Sequence, residues 1–126
     1  MSLDIAFYGK NDKSSTNIEL SAEFYERLAK SDFSEIGTTH RIEVQIDGEQ
    51  TEIEAVDLDK GIISNRQRLI DFFKEAIYEE SRNMIDKLGD SPSKDEYQQQ
   101  SYPLIKFHEI MKCLENTQYC YLQKIT

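Results

Sequence analysis

The chain has 126 residues, a mass of 14.7 kDa and a formal net charge of −9, a size that suits one domain. Leu, Ile, Val and Phe make up 31 of the 126 residues, which argues against a disordered chain, and no apolar run approaches the ~18 residues of a membrane span. The chain has 24 acidic and 15 basic residues. This acidic excess argues against nucleic-acid binding, which needs a basic surface.

The start of the chain and its cysteines indicate a cellular compartment. The first ten residues, MSLDIAFYGK, combine neither a basic start with an apolar block nor the Arg-rich composition of a transit peptide. Cys113 and Cys120 are too few for the disulfide framework of a small secreted domain. The sequence therefore predicts a cytoplasmic protein with two free thiols.

The first thirty residues predict two strands and a helix. Residues 3–8 alternate apolar and polar side chains, as a half-buried strand does. Turn-forming residues fill 9–16, and 16–20 can return as a short second strand. Ser21 then has the position of an N-cap for a helix that runs to about Lys30.

A β-hairpin is predicted at the centre of the chain, where RIEVQI and QTEIEA flank Asp47-Gly48. With these two residues as the turn, Glu43 lies opposite Glu52 and Ile42 opposite Ile53. One face of the hairpin is then apolar, with Ile42, Val44, Ile46, Ile53 and Ala55, and the other is polar, with Arg41, Glu43, Gln45, Gln50, Glu52 and Glu54.

A long helix follows the hairpin. Ser64 and Gln67 have the spacing of a capping box, and one apolar stripe continues to Leu88, before a glycine at the position of a C-cap, Gly89. The pattern predicts a helix over 65–88.

The last third of the chain predicts two more helices and a strand. Ser93 is the predicted N-cap of a short helix over 94–101, which Pro103 should end because the residue before a proline avoids the helical region. A second helix should then occupy 103–116. The aromatic and β-branched tail predicts a strand at 119–124.

These elements predict the fold class. We expect a single α+β domain over 1–126, with an antiparallel sheet of four to five strands that includes the central hairpin. Two or three helices, including the long one at 65–88, should pack on one face of this sheet.

Motifs for catalysis or metal binding are absent from the sequence. There is no phosphate-binding glycine loop, glycine-flanked nucleophilic serine or zinc-type cysteine spacing. The DLDKG segment at 57–61 resembles the start of a calcium loop, but Arg68 stands where a bidentate glutamate is needed. We therefore expect no catalytic residue, metal or cofactor; a small enzyme that uses His40 or His108 is an alternative.

Acidic residues are concentrated in and beside the hairpin. Seven carboxylates and no lysine or arginine lie between Glu43 and Asp59. Placing Glu43 opposite Glu52 is mildly unfavourable for folding, whereas a fixed row of carboxylates complements a basic protein. The predicted partner-binding residues are Glu43, Glu52, Glu54, Asp57 and Asp59. The alternative is that charge only keeps an edge hairpin soluble.

Two tyrosines of the tail, Tyr119 and Tyr121, are candidate anchors for the same partner, because tyrosine brings a large amphipathic area at little entropic cost. The alternatives are that they pack within the domain, or that the tail strand joins two copies in a homodimer.

The segment SLDIAFYG, followed by Ile18 to Ser21 (IELS) and a helix that contains Phe24, resembles the N-terminal region of small immunity proteins from bacterial polymorphic-toxin systems. The resemblance covers about thirty residues. It implies a small, acidic, cytoplasmic α+β domain that blocks a co-encoded toxin, often a basic nuclease domain. The resemblance assigns no functional role to any individual residue of this chain.

The sequence thus favours a non-enzymatic, acidic protein that binds and neutralises a basic protein partner, in the manner of an immunity protein that inhibits a toxin. A structural or assembly module that acts as a homo-oligomer is the main alternative, and a small enzyme is the other.

Overall fold

The computed structural model describes residues 3–9, 15–46, 48–88 and 93–124. The strands are β1 (Leu3–Gly9), β2 (Ser15–Leu20), β3 (Thr39–Ile46), β4 (Glu49–Asp57) and β5 (Tyr119–Gln123), and the helices are α1 (Ala22–Ala29), α2 (Asn65–Leu88) and α3 (Lys94–Glu115). A 3₁₀ turn at Asp32–Glu35 follows α1. The predicted α+β fold is confirmed.

All five strands form one antiparallel sheet in the order β2-β1-β5-β4-β3. The C-terminal strand β5 therefore lies between β1 and β4, and the edges of the sheet are β2 and β3. Because β5 is paired on both sides, it offers no edge for pairing with a second copy of the chain.

The β3–β4 hairpin has the predicted register. Glu43 lies opposite Glu52, and Ile42 lies opposite Ile53. Gly48 has a φ of 81°, as the second position of a type I′ turn requires, whereas Asp47 lies outside the described residues.

Serine side chains begin the three α-helices, as predicted. The Oγ atoms of Ser21, Ser64 and Ser93 each accept a hydrogen bond from the backbone N–H three residues later, at 3.2, 3.1 and 3.2 Å, which satisfies one of the free donors of the first turn. The predicted turn residues 10–14 and the predicted C-cap Gly89 lie outside the described residues.

The prediction that Pro103 separates two helices is wrong, because α3 runs unbroken through it. Proline removes one hydrogen bond from a helix interior, and contacts with the rest of the domain offset this loss. The Tyr102 hydroxyl accepts a hydrogen bond from the Ser21 backbone N–H at 2.9 Å, and its ring meets Phe24 edge-on at 5.8 Å. The buried Phe107, one turn further on, fixes the second half of the helix.

The main hydrophobic core lies between the helices and one face of the sheet. Its members come from all three α-helices, the 3₁₀ turn and the strands β1, β2 and β5. The largest fully buried side chains are Phe7, Phe73, Phe107, Ile5, Leu58, Leu69, Ile110, Leu114, Leu122 and Val56.

A second apolar cluster lies on the opposite face of the sheet. It consists of Ala6, Tyr8, Val44, Ile53 and Ala55, with Ile42, Ile46 and Tyr121 packed against it, so its members come from strands alone. The apolar face of the hairpin therefore points away from the helices, and its polar face lies on the helix side.

In the part of the chain that the structure describes, no helix combines the length and apolar character needed to cross a bilayer.

Candidate functional site

The carboxylates of Glu43, Glu52 and Glu54 share one exposed surface, which we call the acidic face. The pairing of β3 with β4 puts these three residues on the helix side of the sheet. All three remain exposed, because the helices pack over the other end of the sheet, on β1, β2 and β5. The acidic face is thus a fixed surface on two paired strands.

The acidic face has more carboxylates than cationic partners. Arg41 Nε lies 3.5 Å from Glu52 Oε1, and this is the one ion pair that the described residues offer to the acidic face. Both side chains are more than half exposed, at 78% and 55%, so the pair contributes at most about 1 kcal/mol. The carboxylates of Glu43 and Glu54 have no ion pair within the described part of the chain.

A groove of about 630 Å³ adjoins the acidic face, where α1 and the 3₁₀ turn stand above the sheet. Its walls combine apolar side chains with two members of the acidic face, Glu52 and Glu54. The lining residues are Ile5, Leu20, Tyr25, Leu28, Ala29, Phe33, Ser34, Thr39, Glu52, Ile53, Glu54, Gln123 and Lys124. A concave, largely apolar site of this size with a few polar groups is typical of binding sites.

Lys124 lies in the groove and ties the end of β5 to the turn after α1. Its Nζ donates hydrogen bonds to the carbonyl oxygens of Phe33 and Ile36 at 2.8 and 2.7 Å, and lies 5.1 Å from the centre of the Phe33 ring. Burial, and to a lesser extent the positive charge of Arg68, lowers the pKa of Lys124 to about 8. The ammonium group of Lys124 is therefore bonded to backbone carbonyls within the domain and forms no ion pair with the acidic face.

Replacing Lys124 with methionine is expected to change how stability depends on pH. The unfolded chain binds the lysine proton more tightly than the folded chain between the folded pKa of about 8 and the ordinary value of about 10.4. Wild-type stability should therefore rise with pH through this window relative to K124M. Because the side chain is only half-buried, we expect a relative gain of about 1 kcal/mol between pH 7.5 and pH 10.

Urea unfolding of the wild type and K124M at several pH values measures this difference, in which the titrations of cysteine and tyrosine cancel. K74M, at an exposed lysine of α2, is the control, and its stability should differ from that of the wild type by a constant amount across these pH values. A difference between wild type and K124M that does not change with pH would contradict the prediction.

Asp57 and Asp59 do not join the acidic face. Asp57 is five residues from Glu52, about 16 Å along the strand, and the period of two puts its side chain on the opposite face of the sheet. Its Oδ1 accepts the Asp59 backbone N–H at 3.0 Å, and the Asp59 carboxylate lies 3.3 Å from Arg66 Nε. These two acids shape the connection from β4 to α2.

Tyr119 and Tyr121, the two tyrosines predicted as anchors, lie on opposite faces of the sheet, because the pairing of β5 with β1 shifts its register between them. Tyr119 packs against Phe7 with the ring centres 5.9 Å apart, and its hydroxyl is hydrogen-bonded to the Thr16 hydroxyl. Tyr121 packs on the second apolar cluster. Both are half-buried and contribute to the packing of the domain.

Among the described residues, no hydrogen bond joins His40 to Cys113 or Cys120. Cys113 and Cys120 are free and buried, and burial, followed by the nearby Glu109 carboxylate, raises the pKa of Cys113, whereas a nucleophilic thiol needs a lowered one. His40 is exposed and lies 3.3 Å from the Lys60 amine. Within the described residues, no three His, Cys, Asp or Glu side chains are grouped so that they could hold a metal ion.

The groove and Lys124 were missed by sequence reasoning. The groove joins α1 and the 3₁₀ turn to β4 and β5, which are far apart in the chain, and Lys124 has no sequence signal beyond its place at the end of a predicted strand. The acidic face, by contrast, was predicted from the hairpin register.

Comparisons with protein-family models, curated proteins and solved structures find no match for this chain.

Proposed function

We propose that the protein binds and neutralises a basic protein partner through its acidic face, as an immunity-type inhibitor does with a toxin, and that it does so without catalysis. The observation that carries this proposal is the imbalance on the hairpin: three exposed carboxylates share one surface, and Arg41 is the one described cation that pairs with them. A basic partner would supply the missing positive charge.

The arrangement is unfavourable for the isolated domain, which supports a role in binding. Glu43 and Glu52 lie directly opposite each other on neighbouring strands, where like charges are destabilising. The strands hold the backbone of both glutamates in place, so the conformational entropy lost when a partner binds is that of the side chains. The adjacent groove adds apolar surface that an acidic strip alone would lack.

Removing the two glutamates that line the groove should weaken partner binding. A close, desolvated charge pair contributes about 1.5 kcal/mol or more in tight complexes, so the double variant E52Q/E54Q should bind about 100-fold more weakly. The fold should persist, because E52Q also relieves the repulsion from Glu43.

The experiment uses the tagged protein as bait in lysate of its source organism, at low and high salt, with mass spectrometry of retained proteins and affinity measurements on the purified partner. The matched control is D86N/E115Q, which removes the same two charges from exposed positions on α2 and α3. We expect a basic protein that is lost at high salt and on E52Q/E54Q but kept by the control. Equal affinities of the two double variants would overturn the assignment to the acidic face.

A further inference from the structure

The outer surface of the helices α2 and α3 exposes a group of large apolar side chains. Six such side chains are exposed in the described part of the chain, and four of them, Tyr78, Ile85, Tyr97 and Ile105, lie on these two helices. Their exposed fractions range from 53% to 73%. A single exposed apolar residue is ordinary on a protein surface, whereas a contiguous group marks an interaction site.

These side chains border one groove between the two helices. Tyr97 and Ile105 of α3 line a groove of about 470 Å³ together with the half-buried Met84 of α2. Ile85 follows Met84 in the chain, and Tyr78 lies seven residues before Ile85, so both are on one face of α2. We call the surface formed by Tyr78, Met84, Ile85, Tyr97 and Ile105 the outer groove.

The flank of α2 that carries Tyr78 and Ile85 is the one towards α3. Successive helical residues are rotated by about 100°, which puts Tyr78 and Ile85 about 120–140° from the buried Phe73 in one direction. In the other direction lie Phe72 and Glu79, which border a cleft with α1 and the turn after it. Because that flank faces α1, Tyr78 and Ile85 lie beside α3, at the solvent side of the helix pair.

Charges of both signs surround the outer groove. Asp71, Lys74 and Arg82 are exposed on α2, and Glu109 and Lys112 of α3 line the groove. The three cations among them have no ion pair within the described residues. They would repel a basic partner, whereas a second copy can place its carboxylates opposite these cations and its cations opposite these carboxylates.

The two halves of the chain differ in how strongly they oppose self-association. Residues 1–60 contain 14 acidic and 6 basic residues, whereas residues 61–126 contain 10 acidic and 9 basic residues. A contact between two copies through the first half would bring like charges together. The helices α2 and α3 belong to the nearly neutral half, so two copies can meet there with the least repulsion.

The helix pair is large enough for a small dimer interface. α2 and α3 have 24 and 22 residues, so they are each about 35 Å long, and two helices side by side are about 20 Å wide. The surface that they present is therefore about 700 Å², close to the ~800 Å² that each partner buries in a standard interface.

We propose that the outer groove is the contact surface of a homodimer, in which two copies pack their α2–α3 pairs against each other about a two-fold axis. Such a contact uses the same surface on both copies, so each copy covers the exposed tyrosines and isoleucines of the other. The inference is independent of the proposed function, because the acidic face on β3 and β4 contributes no residue to the outer groove.

Analytical ultracentrifugation over a range of protein concentrations tests the proposal. We expect the mass to rise from that of one chain, 14.7 kDa, to twice that value. The dissociation constant should be about 100 µM, because the interface is small. At the few-micromolar concentrations of an unfolding experiment the chain is then monomeric. Added salt should tighten the dimer, because it screens the repulsion between two chains of net charge −9.

Two double variants locate the contact. I85S/I105S removes two isoleucines from the outer groove and should weaken the dimer at least tenfold. The matched control is I62S/I63S, which makes the same two changes at exposed isoleucines just before α2 and should leave the dimer unchanged. All four side chains are exposed, so both variants should keep the fold, and circular dichroism checks this.

A wild-type chain that stays monomeric up to about 1 mM, ten times the expected dissociation constant, would overturn the homodimer. Equal dissociation constants for the two double variants would overturn its assignment to the outer groove. A mass that keeps growing beyond two chains would indicate head-to-tail contacts and overturn the two-fold arrangement. The proposed function is tested separately, because E52Q/E54Q should abolish capture of the basic partner and leave the dimer intact, whereas I85S/I105S should do the reverse.

Discussion

Replacing Phe73 with alanine is expected to lower the free energy of unfolding by about 4 kcal/mol, the usual cost of truncating a buried phenylalanine. Phe73 is fully buried on α2. Its ring centre lies 5.6 Å from that of Phe33 and 5.8 Å from that of Phe107, so the ring joins the turn after α1 to α3. Because a domain of this size is stable by only about 5–15 kcal/mol, F73A should lose a large part of its stability.

Urea unfolding followed by circular dichroism measures this loss. F73L, which keeps most of the buried volume, should lose about 1.5 kcal/mol. Y78A, at an exposed position of the same helix, should change stability by less than about 0.5 kcal/mol. A loss below 1 kcal/mol for F73A would contradict the packing described for this core.

Replacing Arg66 with methionine is expected to lower the free energy of unfolding by about 3 kcal/mol. Its side chain is only 12% exposed. Its guanidinium donates to the carbonyl oxygens of Leu114 and Asn116, at 2.6 and 3.2 Å, and to that of Tyr119. Hydrogen bonds to a charged group contribute more than neutral ones, and a buried carbonyl left unpaired is costly.

The same denaturation measurement tests the role of Arg66. R66K keeps the charge but not the planar, forked geometry that reaches three carbonyls, so its loss should be intermediate. R82M, at an exposed arginine of α2, is the matched control and should be nearly neutral. Similar losses for R66M and R82M would contradict the role of Arg66 as the link between α2 and the junction of α3 with β5.

Features that depend on neighbours in the chain were predicted well. The Asp47-Gly48 dipeptide predicted the hairpin register, and with it the pairing of Glu43 with Glu52. Ser21, Ser64 and Ser93 marked the helix starts. Each of these signals acts over two to four residues, so a short window of the sequence contains all the groups that interact.

The sequence also allows a prediction of which acidic residues of the candidate site share a face. Because side chains on a strand alternate with a period of two, Asp57 belongs to a different face from Glu52 and Glu54. The same rule would place Tyr119 and Tyr121 on one face, and the register shift in the β1–β5 pairing makes them differ. A count of carboxylates along the chain overlooks this alternation. That is why five acids were grouped although the structure brings only Glu43, Glu52 and Glu54 together.

Pro103 shows where a local rule is overridden. The proline removes one helical hydrogen bond, but the contacts of Tyr102 with Ser21 and Phe24 hold the helix before it. The buried Phe107 holds the helix after it. Ser21 and Phe24 are about eighty residues away, and no window around Pro103 contains them.

The amino-acid pattern is enough to predict the α+β class, the hairpin register, the helix starts and the acidic face, because turns, caps and side-chain alternation act between residues close in the chain. Three features required the folded structure. β5 lies between β1 and β4, the helices cover the β1-β2-β5 part of the sheet, and Lys124 and Arg66 each donate to backbone carbonyls of distant segments. These features depend on which distant surfaces pack together. The hydrophobic effect that drives this packing is non-directional, so no local pattern in the sequence shows which surfaces will meet.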